Sequence, residues 1–132
     1  MIDHISTYAI DYDATRRFYQ GALAPLGYAL QVEMVASWDA EFPTRRICAF
    51  GPAGKGAFWI IEVKTAASPR HVAFAAADRA AVAAFHRAAL TSGGSDHGAP
   101  GLRPHYHASY FGAFVLDPDG NNVEAVCHAP AG

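Results

Sequence analysis

Two kinds of hydrophobic period alternate along the chain, and the alternation happens twice. Ile2-Asp3-His4-Ile5-Ser6-Thr7-Tyr8-Ala9-Ile10 is rich in β-branched and aromatic residues and predicts a strand. From Ala14 to Leu23 the period lengthens to that of a helix, with Phe18, Ala22 and Leu23, continued by Leu26, on the stripe that faces the core. Asp11 and Asp13 supply a turn and an N-cap before it, and Pro25 and Gly27 end it. Three further strands are predicted at Tyr28 to Val35, Arg45 to Phe50 and Ala57 to Val63, the last two joined by the turn-rich Gly51-Pro52-Ala53-Gly54-Lys55-Gly56. The order is βαβββ.

The second half repeats this order. Sliding the chain by 67 residues lays His4 on His71, Ile5 on Val72, Asp11 on Asp78, Phe18 on Phe85, Leu23 on Leu90 and Gly27 on Gly94. The offset falls to 66 at Pro52 and Pro118 and to 62 at Glu62 and Glu124, as expected if the second hairpin loop is shorter. A helix is therefore predicted from Ala80 to Ser92, capped by Asp78 and closed by Gly93-Gly94. Phe114 to Val126 reads as an antiparallel hairpin about the turn Asp117 to Asn121. Between helix and hairpin, Gly94 to Ser109 carries Gly98, Pro100, Gly101 and Pro104 and predicts an irregular surface loop. The organisation is one domain of two modules, about 1–66 and 67–132.

Alternation along the strands turns the repeat into chemistry. Ile5, Thr7 and Ala9 share the face that a helix must cover, which sends His4 to the other face, and His71 follows by the same operation. Glu62 and Glu124 stand inside strands among apolar neighbours, where a carboxylate needs a partner or a metal. Two imidazoles and two carboxylates sent to one side predict a divalent-metal site of His4, His71, Glu124 and Glu62. His86 and His128 read as solvent-facing, and His97 lies in a glycine-rich stretch. His105-Tyr106-His107 has no counterpart in the first module and reads as pocket rim, with His105 able to exchange protons. Tyr8, Phe58, Tyr106, His107 and Tyr110 are the candidate pocket lining, and Arg103 is a candidate cation for an anionic substrate.

Composition narrows the classes. Apolar residues make up 52% and charged ones 17% of 132 residues, which suits a packed globule and excludes a disordered chain. The net charge of −2 comes with scattered basic residues and no basic patch, so no nucleic-acid partner is expected. No apolar run is long enough for a membrane span and no signal peptide opens the chain, so the expectation is a cytoplasmic protein whose Cys48 and Cys127 are buried thiols.

With this duplication, Asp3-His4-Ile5 opening one module, Arg70-His71-Val72-Ala73-Phe74 opening the next and Asp117-Pro118-Asp119-Gly120-Asn121-Asn122-Val123-Glu124 closing it, the chain resembles the vicinal oxygen chelate superfamily. That superfamily includes glyoxalase I, extradiol dioxygenases, fosfomycin-resistance thioltransferases and bleomycin-binding proteins. The resemblance covers essentially the whole chain. It implies an α+β fold in which tandem βαβββ modules form a cup-shaped, partly open eight-stranded mixed sheet with the helices on its outer face. It also implies a divalent metal ion (Zn, Ni, Mn or Fe) on His4, His71 and Glu124, with Glu62 at the fourth ligand position of the glyoxalase I branch. The implied activity is that of a metal-dependent enzyme whose small substrate chelates the metal through adjacent oxygens, with Glu62 or Glu124 as base in enediolate chemistry. A metal-independent, bleomycin-resistance-like binding protein is the alternative, and an extradiol-type dioxygenase the second, although Phe114 stands near where such enzymes place a Tyr. Small relatives commonly pair, so a homodimer is expected, with modules meeting within one chain or exchanged between two.

Overall fold

The computed structural model describes residues 1–131. The first module runs β1 (Ile5–Ala9), α1 (Tyr12–Leu23), a 3-10 turn (Ala24–Leu26), β2 (Ala29–Val35), β3 (Arg46–Gly51) and β4 (Phe58–Glu62). The second runs β5 (His71–Ala75), α2 (Arg79–Thr91), β6 (Ser95–Leu102), β7 (Phe111–Leu116) and β8 (Asn122–Cys127). In each module the first strand lies parallel to the last, giving the orders β1-β4-β3-β2 and β5-β8-β7-β6. A parallel neighbour requires a crossover, and the helix after the first strand supplies it. The α+β class and the tandem modules are as expected. The strands form two four-stranded mixed sheets, with no ladder between β1 and β5 among the described residues.

Capping chemistry fixes the helices. Asp11 accepts the Ala14 amide at 3.1 Å, so α1 starts at Tyr12, two residues before the expected Ala14. Asp13 then lies in the first turn, where the helix dipole favours a carboxylate. Asp78 caps α2 in the same way, accepting from the Ala81 amide at 2.7 Å. The helices pack on each other, and one continuous core joins Phe18, Tyr19 and Leu23 of α1 and Val82 and Phe85 of α2 to the strand residues Phe50, Ile60, Val115 and Val123. Among the described residues, no helix is long and apolar enough to cross a membrane.

The turn between β7 and β8 does more than reverse the chain. Asp117 Oδ1 accepts the amides of Asp119 and Asn121, both at 2.9 Å, which builds the turn. Its Oδ2 accepts Asn121 Nδ2 at 2.8 Å and the buried Tyr19 hydroxyl of α1. Asp119 accepts the Ile10 amide at 3.1 Å and Thr15 Oγ1 at 2.8 Å, and Asn121 Nδ2 also donates to Thr7 Oγ1 at 3.3 Å. The turn of the second module is thus hydrogen-bonded to β1 and α1 of the first. Burial, and then the Asp117 carboxylate, hold the Tyr19 phenol well above its ordinary pKa, which keeps it a donor.

The expected loop from Gly94 to Ser109 is corrected by the structure. Its first half is β6, an edge strand paired to β7 with register shifts between Asp96 and Gly98 and again between Gly98 and Gly101. Pro100 is tolerated because an edge strand leaves one row of its amides unpaired, and bulges absorb the glycines. Only the segment after Leu102 and before Phe111 is irregular.

Candidate metal centre

β5, β8 and β7 lie side by side, and their registers set Ala73 opposite Glu124 and Phe114 opposite Glu124. Val123, Ala125 and Cys127 point into the core, so alternation turns Glu124 to the face away from the helices. There the carboxylate is 2% exposed. Its Oε1 stands 3.2 Å from His71 Nε2, and its Oε2 accepts a hydrogen bond from the Tyr110 hydroxyl. Gly112 makes room for this arrangement, because a Cβ there would lie 3.2 Å from Glu124 Oε2 and 3.3 Å from the Tyr110 ring. Burial, and then the bond to Glu124, push the Tyr110 phenol up to about 12.

The histidines are pre-set. His71 Nδ1 lies 3.0 Å from the Asn122 carbonyl, which can only accept, so this nitrogen carries the proton. Nε2 then faces a Glu124 carboxylate oxygen at 3.2 Å. Two lone pairs face each other stably only with a proton or a cation between them. His4 is arranged alike: its Nδ1 donates to Asp3 Oδ1 at 2.7 Å, leaving Nε2 free. Lys55, at 2.7 Å, and then His4 hold the Asp3 carboxyl below its usual range. A carboxylate or carbonyl behind the ring nitrogen remote from a metal is the usual way of fixing a ligand's tautomer. Sequence reasoning misses both Asp3 and the Asn122 carbonyl in this role, since Asp3 enters it only as part of the opening strand and a backbone carbonyl carries no sequence signal.

The expected four residues do not all share one face. His4 meets the Trp59 ring edge-on at 6.3 Å, on the side of β4 opposite to Phe58 and Ile60. An open groove between β1 and β5 is lined by Asp3, His4, Ile5, Val72, Ala73 and Phe74. Among the described residues, no three His, Cys, Asp or Glu side chains meet closely enough to hold a metal by themselves. Glu62 departs from the expectation that it points with Glu124. It shares the helix side of β4 with Phe58 and Ile60, and Arg46 binds it through the backbone amide at 2.9 Å and the guanidinium at 2.9 Å. Arg46 also reaches Asp13 of α1 at 3.0 Å, and its bond to Glu62 holds that carboxyl below the usual range. The reason is register. Ile5 pairs with Phe58 and Val72 with Val123, so Trp59, and not Glu62, is the counterpart of Glu124. An odd slip along a strand exchanges its faces.

The remaining candidates divide. Phe58 is 1% exposed and packs on Tyr19 and Phe74 at 4.8 and 5.3 Å, so most of it belongs to the core, while its edge borders the groove beside His4. Tyr8 lies on the face away from the helices beneath the Arg70 guanidinium, 4.9 Å from its ring. Tyr106 packs between His105 at 4.2 Å and Tyr110 at 4.8 Å. His107 Nδ1 accepts the Ser109 amide at 3.1 Å, so its Nε2 carries the proton and donates to His128 Nδ1 at 2.9 Å. His128 is exposed, as expected, and also ties the end of β8 to the rim beside Tyr110. Arg103 lies over the Phe114 ring at 5.4 Å, and Phe114 stacks on His71 at 6.3 Å.

A family model described as "Glyoxalase/Bleomycin resistance protein/Dioxygenase superfamily" matches residues 1–125. Among solved structures, a glyoxalase/bleomycin resistance protein from Albidiferax ferrireducens is 23% identical, covers 96% of this chain and 98% of its own, and superposes with a TM-score of 0.75. A family enzyme from Burkholderia phytofirmans is 19% identical over 97% of this chain and 98% of its own, with a TM-score of 0.66. A glyoxalase I variant from Zea mays is 20% identical with a TM-score of 0.70, and there the match covers 95% of this chain but 46% of the maize one. At these identities the likeness is one of fold. No curated protein matches the chain.

Proposed function

Because the chain belongs to the glyoxalase/bleomycin resistance protein/dioxygenase superfamily, we propose that His4, His71 and Glu124 hold a divalent metal ion, Zn, Ni, Mn or Fe, and that the protein is an enzyme acting on a small substrate that chelates it through adjacent oxygens. One observation carries this reading. His71, held at Nδ1 by the Asn122 carbonyl, aims Nε2 at the buried Glu124 carboxylate, 3.2 Å away, and a proton or a cation must bridge the two. When bound, the metal would supply positive charge to a developing enediolate or oxyanion. The chain's own residues do the rest: Asp3 and the Asn122 carbonyl orient the imidazoles, Tyr110 holds one oxygen of Glu124, and the other oxygen remains for a ligand or a proton. His105 and His107 stand at the rim, where an imidazole exchanges protons near neutral pH.

Glu62 has no part in this proposal, because Arg46 holds it on the helix side. That subtraction brings in a second reading. Two imidazoles and one carboxylate are the donor set suited to non-haem Fe(II) with open positions, which favours oxygen chemistry over the four-ligand isomerase pattern. We further propose a cytoplasmic homodimer, a setting that the two free, buried cysteines suit.

Metal analysis of untagged protein tests the central claim. About one divalent ion per chain is expected, lost in His71→Ala and Glu124→Gln. A wild-type chain that takes up no divalent ion leaves the ligand-binding alternative. Hemithioacetals and catechols, offered to metal-replete protein, then separate isomerase from dioxygenase behaviour. Sedimentation at micromolar concentration checks the dimer. Mixing His4→Ala with His71→Ala chains restores metal binding only if sites are shared between chains.

A further inference from the structure

We propose that the substrate of this site carries an anionic oxygen group, such as a carboxylate, in addition to its chelating oxygens, and that Arg103 receives it. The proposal rests on the metal-centre reading, which accounts for the chelating end only.

The second sheet is shaped to hold this guanidinium. Ala73, Glu124, Phe114 and Gly98 are successive partners across β5, β8, β7 and β6, so they form one row on the face that carries His71. Phe114 stacks on His71 at an interplanar angle of 28°, and the guanidinium carbon of Arg103 sits 5.4 Å over the same Phe114 ring. β6 lacks side chains where Arg103 lies. A Cβ at Gly98 would stand 2.9 Å from the Phe114 ring and 3.2 Å from Arg103 Nη2, and one at Gly101 would stand 3.1 Å from Arg103 Nη1. Gly98, at φ +155°, also bends the strand at its bulge.

Arg103 is held but not neutralised. Its Nη2 donates to the Ala99 carbonyl at 2.8 Å and its Nη1 to the Leu102 carbonyl at 3.4 Å, which fix the fork in place without cancelling its charge. No carboxylate pairs with it among the described residues, whereas Arg16 and Arg45 each have one and Arg46 has two. A guanidinium in this state keeps donors for a planar anion, which it binds in two-pronged fashion. The spacing limits the ligand. Arg103 and His71 both pack on the Phe114 ring, the guanidinium carbon 5.4 Å and the imidazole centroid 6.3 Å from its centroid. The implied substrate class is compact, with vicinal oxygens at one end and an anionic group at the other.

The test compares catechol with protocatechuate, the same chelating diol without and with a carboxylate. Each is titrated into zinc-loaded protein by calorimetry under nitrogen. Protocatechuate should bind at least about tenfold more tightly, and this ratio should fall to near one in Arg103→Leu, with partial recovery in Arg103→Lys, which keeps the charge and loses the fork. Gly98→Ala, whose Cβ crowds both the Phe114 ring and the guanidinium at a strained φ, should lower the ratio as well. A ratio near one in the wild type, or an unchanged ratio in Arg103→Leu, overturns the anion anchor while leaving the metal centre standing. A protein that takes up no zinc, or that holds zinc and binds neither diol, overturns the chelation reading and this inference with it.

Discussion

At one topologically equivalent point the two modules place opposite chemistry: β8 sets Glu124 beside His71, whereas β4 sets Trp59 beside His4. Everything around that point is shared. Both modules have the same element order, the same aspartate cap on the helix and the same parallel seam between first and last strands. The repeat therefore constrains the backbone and the buried face, because both helices need an apolar sheet to pack on. The other face is free to diverge. In the second module it holds a donor pair, and in the first a single imidazole against an indole whose Nε1 donates to the Gly56 carbonyl at 3.1 Å.

The sharpest way to break the comparison is to exchange the two glutamates' fates. Glu124→Gln should lower divalent-metal affinity by about three orders of magnitude, roughly 4 kcal/mol, since it removes the only buried carboxylate on the donor face among the described residues. Glu62→Gln should leave metal content unchanged. Equilibrium dialysis with Zn(II) decides, and equal losses in both variants would mean that the modules do not divide their chemistry in this way.

Next in size is the joint between modules. Asp117→Ala strands the Tyr19 hydroxyl and two backbone amides and leaves the Asn121 amide with Thr7 Oγ1 as its one remaining partner. A loss of about 3 kcal/mol in urea unfolding is expected. A loss under about 1 kcal/mol would show that the turn serves β7 and β8 alone. Asp3→Ala follows, with roughly a tenfold drop in metal affinity because His4 loses the partner that selects its tautomer. An affinity within twofold of wild type would make Asp3 a surface residue only.

Much of this division is legible in the residues, and the parts that are not have physical causes. Periods of two and of about 3.6 identify the strands and helices because burial of one face is a local demand. The fold class and the repeat follow from them. Glu62 is misassigned by the repeat because counting along the chain cannot see a slip in register, and a slip of three residues, from Trp59 to Glu62, turns a side chain to the other face. β6 is hidden because Gly98, Pro100 and Gly101 have poor strand propensity, while an edge strand with bulges asks little of them. Asp3, Tyr110 and His128 act through contacts with His4, Glu124 and His107, and the last two of these join residues distant in sequence, which no period encodes. Of the rim, the residues alone put Arg103 near the site but do not reveal that Phe114 carries it toward His71.

The smallest effect expected concerns what Glu62 does instead of binding metal. Its carboxyl is held below the ordinary value of 4.5, first by the hydrogen bond from Arg46, and Arg46 in turn reaches Asp13. A carboxylate whose pKa is depressed by folding stabilises the native state above its unfolded pKa, and that contribution is lost as pH falls through the folded value. Wild type should therefore exceed Glu62→Gln in stability at pH 7 by about 1 kcal/mol or less, a discounted figure because the Arg46 side chain is 40% exposed and water screens the pair. The gap should hold down to about pH 5 and close as the carboxylate takes up its proton. Urea unfolding of both proteins across this range reads it directly. A gap that stays constant with pH would mean that packing, and not the ion pair, is what Glu62 contributes, and the helix-side position of this carboxylate would then have no electrostatic cause.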